Sequence, residues 1–211
     1  MPNVVTNMLS FDSLKDFEKV VEFMKSKKQD FDFNNLIKMP QGIKNEDVMA
    51  IDTDIVNYDG TALTLQQLKE KYGESKEAYT KVKEYVNNYL EYGYMHCLDW
   101  SLNLWGTKWN AYSIIVSKKH KMIFFDTAWN SVTMLMELLS KITKTSFFYQ
   151  YADENRGYNT GFLYLSHGKL TYGTSPNGSD SAQTIYLELR VWLKRVKKEQ
   201  KKNGTDKAAL L

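Results

Sequence analysis

The sequence has very little cysteine: Cys97 is the only one among 211 residues. A single cysteine excludes an internal disulfide framework and suits a reducing compartment. Residues 1–10 lack the basic segment and long apolar stretch of a secretory signal. No window approaches the roughly 18 apolar residues of a membrane span. We therefore expect a soluble, cytoplasmic protein that does not bind a membrane.

Motifs of the common enzyme classes are also missing. The sequence contains no Gly-rich phosphate loop, no nucleophile elbow and no His-Glu-x-x-His zinc motif. The Lys/Arg-Gly-Phe strand signature of RNA-binding ferredoxin-like sheets is absent as well. We accordingly predict no cofactor, no metal ligand and no catalytic residue, and a protein that is not an enzyme.

The sequence is rich in aromatic residues, and its charges are unevenly distributed along the chain. Aromatics make up 14% of the chain, which is enough to build a sizeable core in one domain. Residues 189–203 hold seven cationic side chains and only Glu199 as an anion, a net charge of +6. Because the whole chain carries +3, the remainder carries −3. The basicity is therefore a C-terminal feature.

Hydrophobic periodicity predicts an α+β fold. The predicted strands are 3–11, 112–117, 121–126, 146–152, 162–166 and 169–173. The predicted helices are one ending at Lys28 and capped by Ser10 or Asp12, then 63–72, 75–92, 132–143 (capped by Asn130 or Ser131) and 182–202. With the middle helices set aside, the order strand, helix, strand, strand, helix, strand is the ferredoxin-like split βαβ plan. The hairpin at 162–173 extends the sheet or covers one of its edges.

This plan implies a domain organisation. Residues 1–177 form the ferredoxin-like domain, with a helical insertion at about 42–110. Residues 178–211 form a basic helix and tail that pack on the same domain. The apolar stripe of Ile185, Leu189, Trp192 and Val196 provides the docking side of that helix.

Several short motifs resemble those of the YubB ferredoxin-like family of phage and plasmid proteins. The matching residues are 1–3, 6–7, 31–33, 39–40, 103–111, 125–129, 151–154 and Gly161. The family carries prolines after Trp129, where this chain has Asn130-Ser131-Val132. The resemblance implies the fold and a mobile-element origin, hence the host cytosol for a phage-encoded chain, but it supplies no activity.

The Trp-rich run 99–112 has two interpretations. Trp105 and Trp109 around Gly106 and Lys108 are suited to stacking a base or binding an anion. Alternatively, both indoles anchor the insertion against the sheet, each with its N–H bonded to backbone. We favour the structural interpretation because the flanking residues also look like core.

Three further clusters of polar residues are candidates for a functional site. His96, Cys97 and Asp99 have poor spacing for one metal ion, and no second Cys or paired His follows. Asp52, Asp54 and Asp59 lack the spacing of a calcium loop, so they solubilise a loop or present an acidic surface to a basic partner. Asp153-Glu154-Asn155-Arg156-Gly157 looks like a turn between strands.

The basic helix is the main candidate for partner binding. Its candidate residues are Arg190, Lys194, Arg195, Lys197, Lys198, Lys201 and Lys202, together with Asp52, Asp54 and Asp59 on the acidic side. The basic end is either a solvated helix terminus, a contact for nucleic-acid backbone, or a contact for an acidic protein.

Three functions follow. The first is a non-enzymatic phage or mobile-element accessory protein that binds a host protein or nucleoprotein complex, as a counter-defence inhibitor of the anti-CRISPR type does. The second is direct nucleic-acid binding through the basic helix. The third is an enzyme acting on a nucleotide or nucleic acid through His96 or the acidic clusters. The oligomeric state is left open.

Overall fold

A computed structural model describes residues 3–43, 55, 61–171, 173 and 175–208, with side chains as far as Lys202. Its contacts divide the chain into two compact units. A sheet unit comprises residues 1–37 and 105–211, and a helical unit comprises residues 38–104. The chain thus leaves the sheet unit after Ile37 and re-enters it at Trp105, so residues 105–110 belong with the sheet.

The sheet unit contains one six-stranded antiparallel sheet in the order β2-β3-β1-β4-β5-β6. Its strands are β1 (Val4–Ser10), β2 (Tyr112–Ser117), β3 (Met122–Ala128), β4 (Ser146–Asp153), β5 (Thr160–Ser166) and β6 (Lys169–Leu170). Its helices are α1 (Leu14–Met24), α5 (Thr133–Thr143) and α6 (Asp180–Ala208). The first four strands with α1 and α5 form the ferredoxin-like core, and β5 and β6 extend it beyond β4, so the predicted fold class is confirmed.

The helical unit contains α2 (Leu65–Tyr72), α3 (Lys76–Tyr92) and α4 (Cys97–Leu104). Thr64 and Gln67 form a capping box at the start of α2. Gly93, at φ 76°, ends α3 in the left-handed conformation. Tyr85 and Val82 are fully buried in the core of this unit, whereas Leu90 near the end of α3 is 70% exposed.

Each side of the sheet is covered differently. Alternate residues of β1, such as Val5 and Leu9, point to the side of α1 and α5 and are completely buried. The intervening residue Met8 points to the other side, where it joins a cluster with Phe124 and Leu189 of α6. The predicted docking stripe of α6 is confirmed: Ile185, Leu189 and Val196 are buried and Trp192 is half-buried.

A buried polar network fastens the three central strands on the side of α1 and α5. The Tyr149 hydroxyl donates to Asn7 Oδ1 at 2.7 Å and accepts from the Val132 N–H at 3.0 Å. Asn7 Nδ2 donates to Thr127 Oγ1 at 2.9 Å. Burial raises the pKa of Tyr149, so the phenol remains protonated and available as a donor. This network ties the start of α5 to β1 and β4.

Several predicted helix caps are wrong. Ser13 caps α1 by accepting from the Asp16 N–H, where Ser10 or Asp12 was expected, and α1 ends at Met24 instead of Lys28. Val132 occupies the N-cap of α5 without a side-chain bond, where Asn130 or Ser131 was expected. The run 99–112 also holds the end of α4, which the periodicity did not predict.

No helix of the described residues is long and apolar enough to cross a bilayer. Asp52, Asp54 and Asp59 lie outside the described residues.

Candidate functional site

The predicted Trp-rich site separates into a buried part and an exposed part. Trp105 is 4% exposed, and its Nε1 donates to the Ile37 carbonyl at 3.0 Å. This bond joins the points where the chain leaves and re-enters the sheet unit. Asn110 reinforces the junction, because its Nδ2 donates to Asp32 Oδ1 at 2.8 Å. Trp105 is therefore a core residue of the sheet unit with its N–H bonded to backbone.

Trp109 contradicts the same interpretation. It is 45% exposed, and Trp129 is 37% exposed. The Lys108 ammonium lies 5.2 Å from the Trp109 ring centroid and 4.9 Å from the Trp129 ring centroid. Such contacts stabilise a cation over the π-faces of both indoles. Gly106, at φ 75°, allows the turn that separates the buried Trp105 from this exposed pair.

The His96 cluster is a local helix start. His96 Nδ1 accepts from the Asp99 N–H at 3.1 Å, and Asp99 Oδ2 accepts from the Met95 N–H at 3.0 Å. Burial lowers the pKa of His96 and so favours the neutral ring, in which Nδ1 can accept this bond. Across the described part of the chain, no group of three or more His, Cys, Asp or Glu side chains is arranged to hold a metal ion. These contacts cap α4.

Asp153 is the last residue of β4, and the predicted turn occupies residues 154–157. Asp153 is 5% exposed, and its Oδ1 accepts from both the N–H and the Nδ2 of Asn155. Its carboxylate therefore shapes the start of the β4–β5 connection.

The basic part of α6 lies beside a second basic element, which is about 80 residues earlier in the chain. The β2–β3 turn carries Lys118 and Lys119, whose side chains are each 71% exposed. Lys119 Nζ donates to Glu199 Oε2 at 2.9 Å, so the turn meets α6 directly. We call the exposed cations of the two elements the basic surface. Its members are Lys118, Lys119, Lys194, Arg195, Lys197, Lys198, Lys201 and Lys202.

Glu199 is the anion at the centre of the basic surface. Its carboxylate contacts Lys119, His120 Nε2 at 3.0 Å and Arg195 Nε at 3.4 Å. Lys119 and His120 lower the pKa of Glu199 to about 2. Glu199 therefore stays ionised and holds the turn against the helix, while the surrounding cations outnumber it.

The docking of α6 determines which of its cations face outward. Val196, 1% exposed, fixes the basic half of the helix on the sheet, and Gln200 Nε2 donates to the Val116 carbonyl at 3.3 Å. Lys194, Lys197 and Lys198 consequently project into solvent.

Arg190 differs from the other predicted candidates. It is half-buried, its Nη1 donates to Thr6 Oγ1 at 3.2 Å, and its guanidinium lies 5.2 Å from the Tyr186 ring centroid. The structure therefore uses Arg190 to dock α6, and its contact with a partner stays a prediction.

Comparisons with known proteins give a family description for part of the chain. No curated protein matches the sequence. The crystal structure of a protein Api92 from Yersinia pseudotuberculosis aligns with 85% of this chain and 100% of that chain, at a TM-score of 0.40 and 11% identity. Residues 105–193, which end just before Lys194, match the family model described as the ferredoxin-like domain in Api92-like protein.

Proposed function

We propose that this chain is a non-enzymatic accessory protein that binds nucleic acid through the basic surface. The observation that carries the proposal is the junction of the β2–β3 turn with the basic half of α6. A solvated helix end needs no second basic element beside it, whereas a polyanion gains from each additional cation on a shared surface.

The surface also has the geometry that phosphate contacts require. Its cations lie on a helix fixed by Val196 and on a tight hairpin turn. Because this backbone is already ordered, binding costs little backbone conformational entropy. Glu199 and Glu18, which pairs with Lys118, supply two negative charges against eight positive ones. Phosphate contacts of this kind position a strand without reading its sequence.

The proposal can be tested by fluorescence anisotropy with a labelled DNA duplex over a range of salt concentrations. If about six of the cations meet phosphates, log K should fall with log salt at a slope near −5. Replacing Lys194, Lys197 and Lys198 together by Gln should reduce that slope by about 3 and weaken binding at low salt. Charge replacement is preferable to truncation because removing residues from 194 onward also removes the buried Val196.

A matched control is the triple replacement of Lys27, Lys28 and Lys141 by Gln. These exposed lysines lie just after α1 and on α5, which cover the other side of the sheet, and the change in net charge is the same. An equal loss of affinity in both triple variants would show that net charge alone drives binding. Absence of duplex binding at low salt would refute the proposal.

Counter-defence activity, the YubB relationship and an origin in a phage or plasmid stay predictions. The sequence motifs that resemble the YubB family support them. Affinity capture from a defence-bearing host should recover a stoichiometric protein or nucleoprotein partner, and expression should raise phage survival. Recovery of no partner together with unchanged survival would refute this role. Binding to an acidic protein, with no affinity for DNA, would replace the nucleic-acid proposal.

A further inference from the structure

An open groove runs between α6 and the outer strands of the sheet. Its volume is about 440 Å³, within the roughly 300–1,000 Å³ of small-ligand sites. Gln150 of β4 and Phe162 of β5 line one side, and Thr184 and Glu188 of α6 line the other. All four residues belong to the sheet unit.

Aromatic rings continue the wall of this groove along the sheet. The Phe148 ring stacks on Phe162, with centroids 5.4 Å apart and planes inclined by 18°. Tyr164 lies 4.9 Å from Phe148. The strand register pairs Phe148 with Tyr164 and Gln150 with Phe162, so all four side chains share the side of the sheet that faces α6.

α6 covers this side unequally. Met8 and Phe124, on the central strands, are 2% and 1% exposed beneath the helix. Phe148, Phe162 and Tyr164, farther out, are only half-buried. Part of an aromatic surface is therefore accessible directly beside the helix.

Polar groups in the groove favour a planar ring that can form hydrogen bonds. Glu188 is exposed and offers a carboxylate acceptor, and Gln150 Nε2 lies 3.5 Å from Glu188 Oε2. An aliphatic side chain would gain nothing from these groups, whereas a nucleobase combines a π-face with edge donors and acceptors.

Charge along α6 indicates where the phosphates of such a ligand would lie. Arg195 follows Glu188 by seven residues, which places it on the same side of the helix about 10 Å farther along. From Lys194 onward, exposed cations of the basic surface occupy this end of α6. A strand with one base in the groove would therefore have its phosphates directed toward the basic surface.

We propose that the groove binds an unpaired base of a single-stranded nucleic acid whose phosphates contact the basic surface. This proposal rests on the proposed function and narrows it to unpaired strands. In a duplex, the bases are stacked on one another and cannot enter the groove, so a duplex would use the basic surface alone.

The test compares two labelled probes in anisotropy titrations at one salt concentration: a single-stranded DNA of about 15 nucleotides and its duplex. Phe162→Leu keeps the apolar volume but removes the ring, and it should weaken single-strand binding by about fivefold or more. Duplex binding should not change. Tyr158→Leu is the control, because Tyr158 is a 54% exposed aromatic on the β4–β5 connection and does not line the groove.

A second variant guards against loss of folding in Phe162→Leu. Thr184 is exposed on α6, so Thr184→Gln should leave the fold intact while its longer side chain obstructs the groove. It should lower the affinity for the single strand selectively. Amide NMR shifts on adding the single strand should include Gln150 and Thr184.

The outcomes separate this proposal from the proposed function. Equal affinities for both probes, unchanged in Phe162→Leu and Thr184→Gln, would overturn the groove proposal and leave the basic surface as the binding site. NMR shifts confined to α6 beyond Lys194 would overturn it in the same way. Binding of neither probe would refute the proposed function, and the groove proposal with it.

Discussion

Replacing Trp105 by alanine should strongly lower the free energy of unfolding of the sheet unit, whereas the same change at Trp109 should lower it only slightly. Trp105 is 4% exposed, its ring packs edge-on against Phe33 at a centroid distance of 5.9 Å, and its Nε1 bonds to Ile37. Truncating a buried Trp costs about 3–5 kcal/mol. Trp109 is 45% exposed and has Tyr112 as an edge-on neighbour at 6.1 Å, so we expect a cost of about 1 kcal/mol there.

A third variant isolates the hydrogen bond. Trp105→Phe keeps an aromatic ring in the pocket but leaves the Ile37 carbonyl without its indole donor. The expected cost is about 1–3 kcal/mol, which lies below that of the alanine variant. The difference between the two variants measures the packing part of the Trp105 contribution.

Urea unfolding followed by far-ultraviolet circular dichroism provides the free energies of unfolding for all three variants. In thermal unfolding, 3–5 kcal/mol corresponds to a fall in Tm of about 10 °C for a chain of this size. Equal costs at Trp105 and Trp109 would show that exposure does not separate the two indoles. A cost below about 1 kcal/mol for Trp105→Ala would refute the role of Trp105 at the junction.

Three further changes test other parts of the sheet unit. Tyr149→Phe should lower the free energy of unfolding by about 2–4 kcal/mol, since the Val132 N–H and Asn7 Oδ1 both lose a buried partner. Urea unfolding measures this loss, and a value near zero would contradict the network. Gly161→Ala should lower the free energy of unfolding by about 1–3 kcal/mol, because the new Cβ would lie 2.5 Å from the Tyr151 ring. An unchanged Tm would show that the Tyr151 ring moves aside without cost. The pKa of Glu199, about 2, lies below its ordinary value of 4.5, so its contacts stabilise the α6–turn junction above pH 4.5 and are lost as the pH falls toward 2. Protection factors for amide exchange at the end of α6 should fall over that range in the native chain and stay level in Glu199→Gln.

Much of the sheet could be predicted from the sequence because its strands are short, aromatic and bounded by polar turns. The strand at 112–117 was predicted with its observed bounds, and the ferredoxin-like order followed from the alternation of strands and helices. Caps were harder to predict because several Ser, Asp and Asn residues compete at each helix start. Only backbone geometry selects Ser13 for α1 and leaves α5 without a side-chain cap.

Exposure of individual aromatics could not be predicted from their spacing. Trp105 and Trp109 are four residues apart, which on a helix would place them on one side. The chain instead turns at Gly106, at φ 75°, so one ring enters the core and the other remains outside. Leu90 and Met134, at 70% and 63% exposure, similarly fit an apolar face without being covered.

The candidate surface was found only in part. A run of lysines can be recognised directly in a sequence, so the basic half of α6 was evident from residues 194–202. Its neighbour, the β2–β3 turn, is about 80 residues earlier, and only the tertiary path of α6 brings Lys119 to Glu199. The groove depends in the same way on Gln150 and Glu188, which no local pattern connects.

The placement of α6 over Met8 and Phe124 also constrains how the chain can fold during synthesis. β1 is made first, but its neighbours β3 and β4 begin more than 110 residues later, and α6 follows at residue 180. Such non-local pairing slows folding because long loops must close first. Until α6 has been synthesised, one side of the central strands exposes Met8 and Phe124 to other chains. Nascent chains halted before residue 180 should therefore depend on chaperones more than chains that include α6.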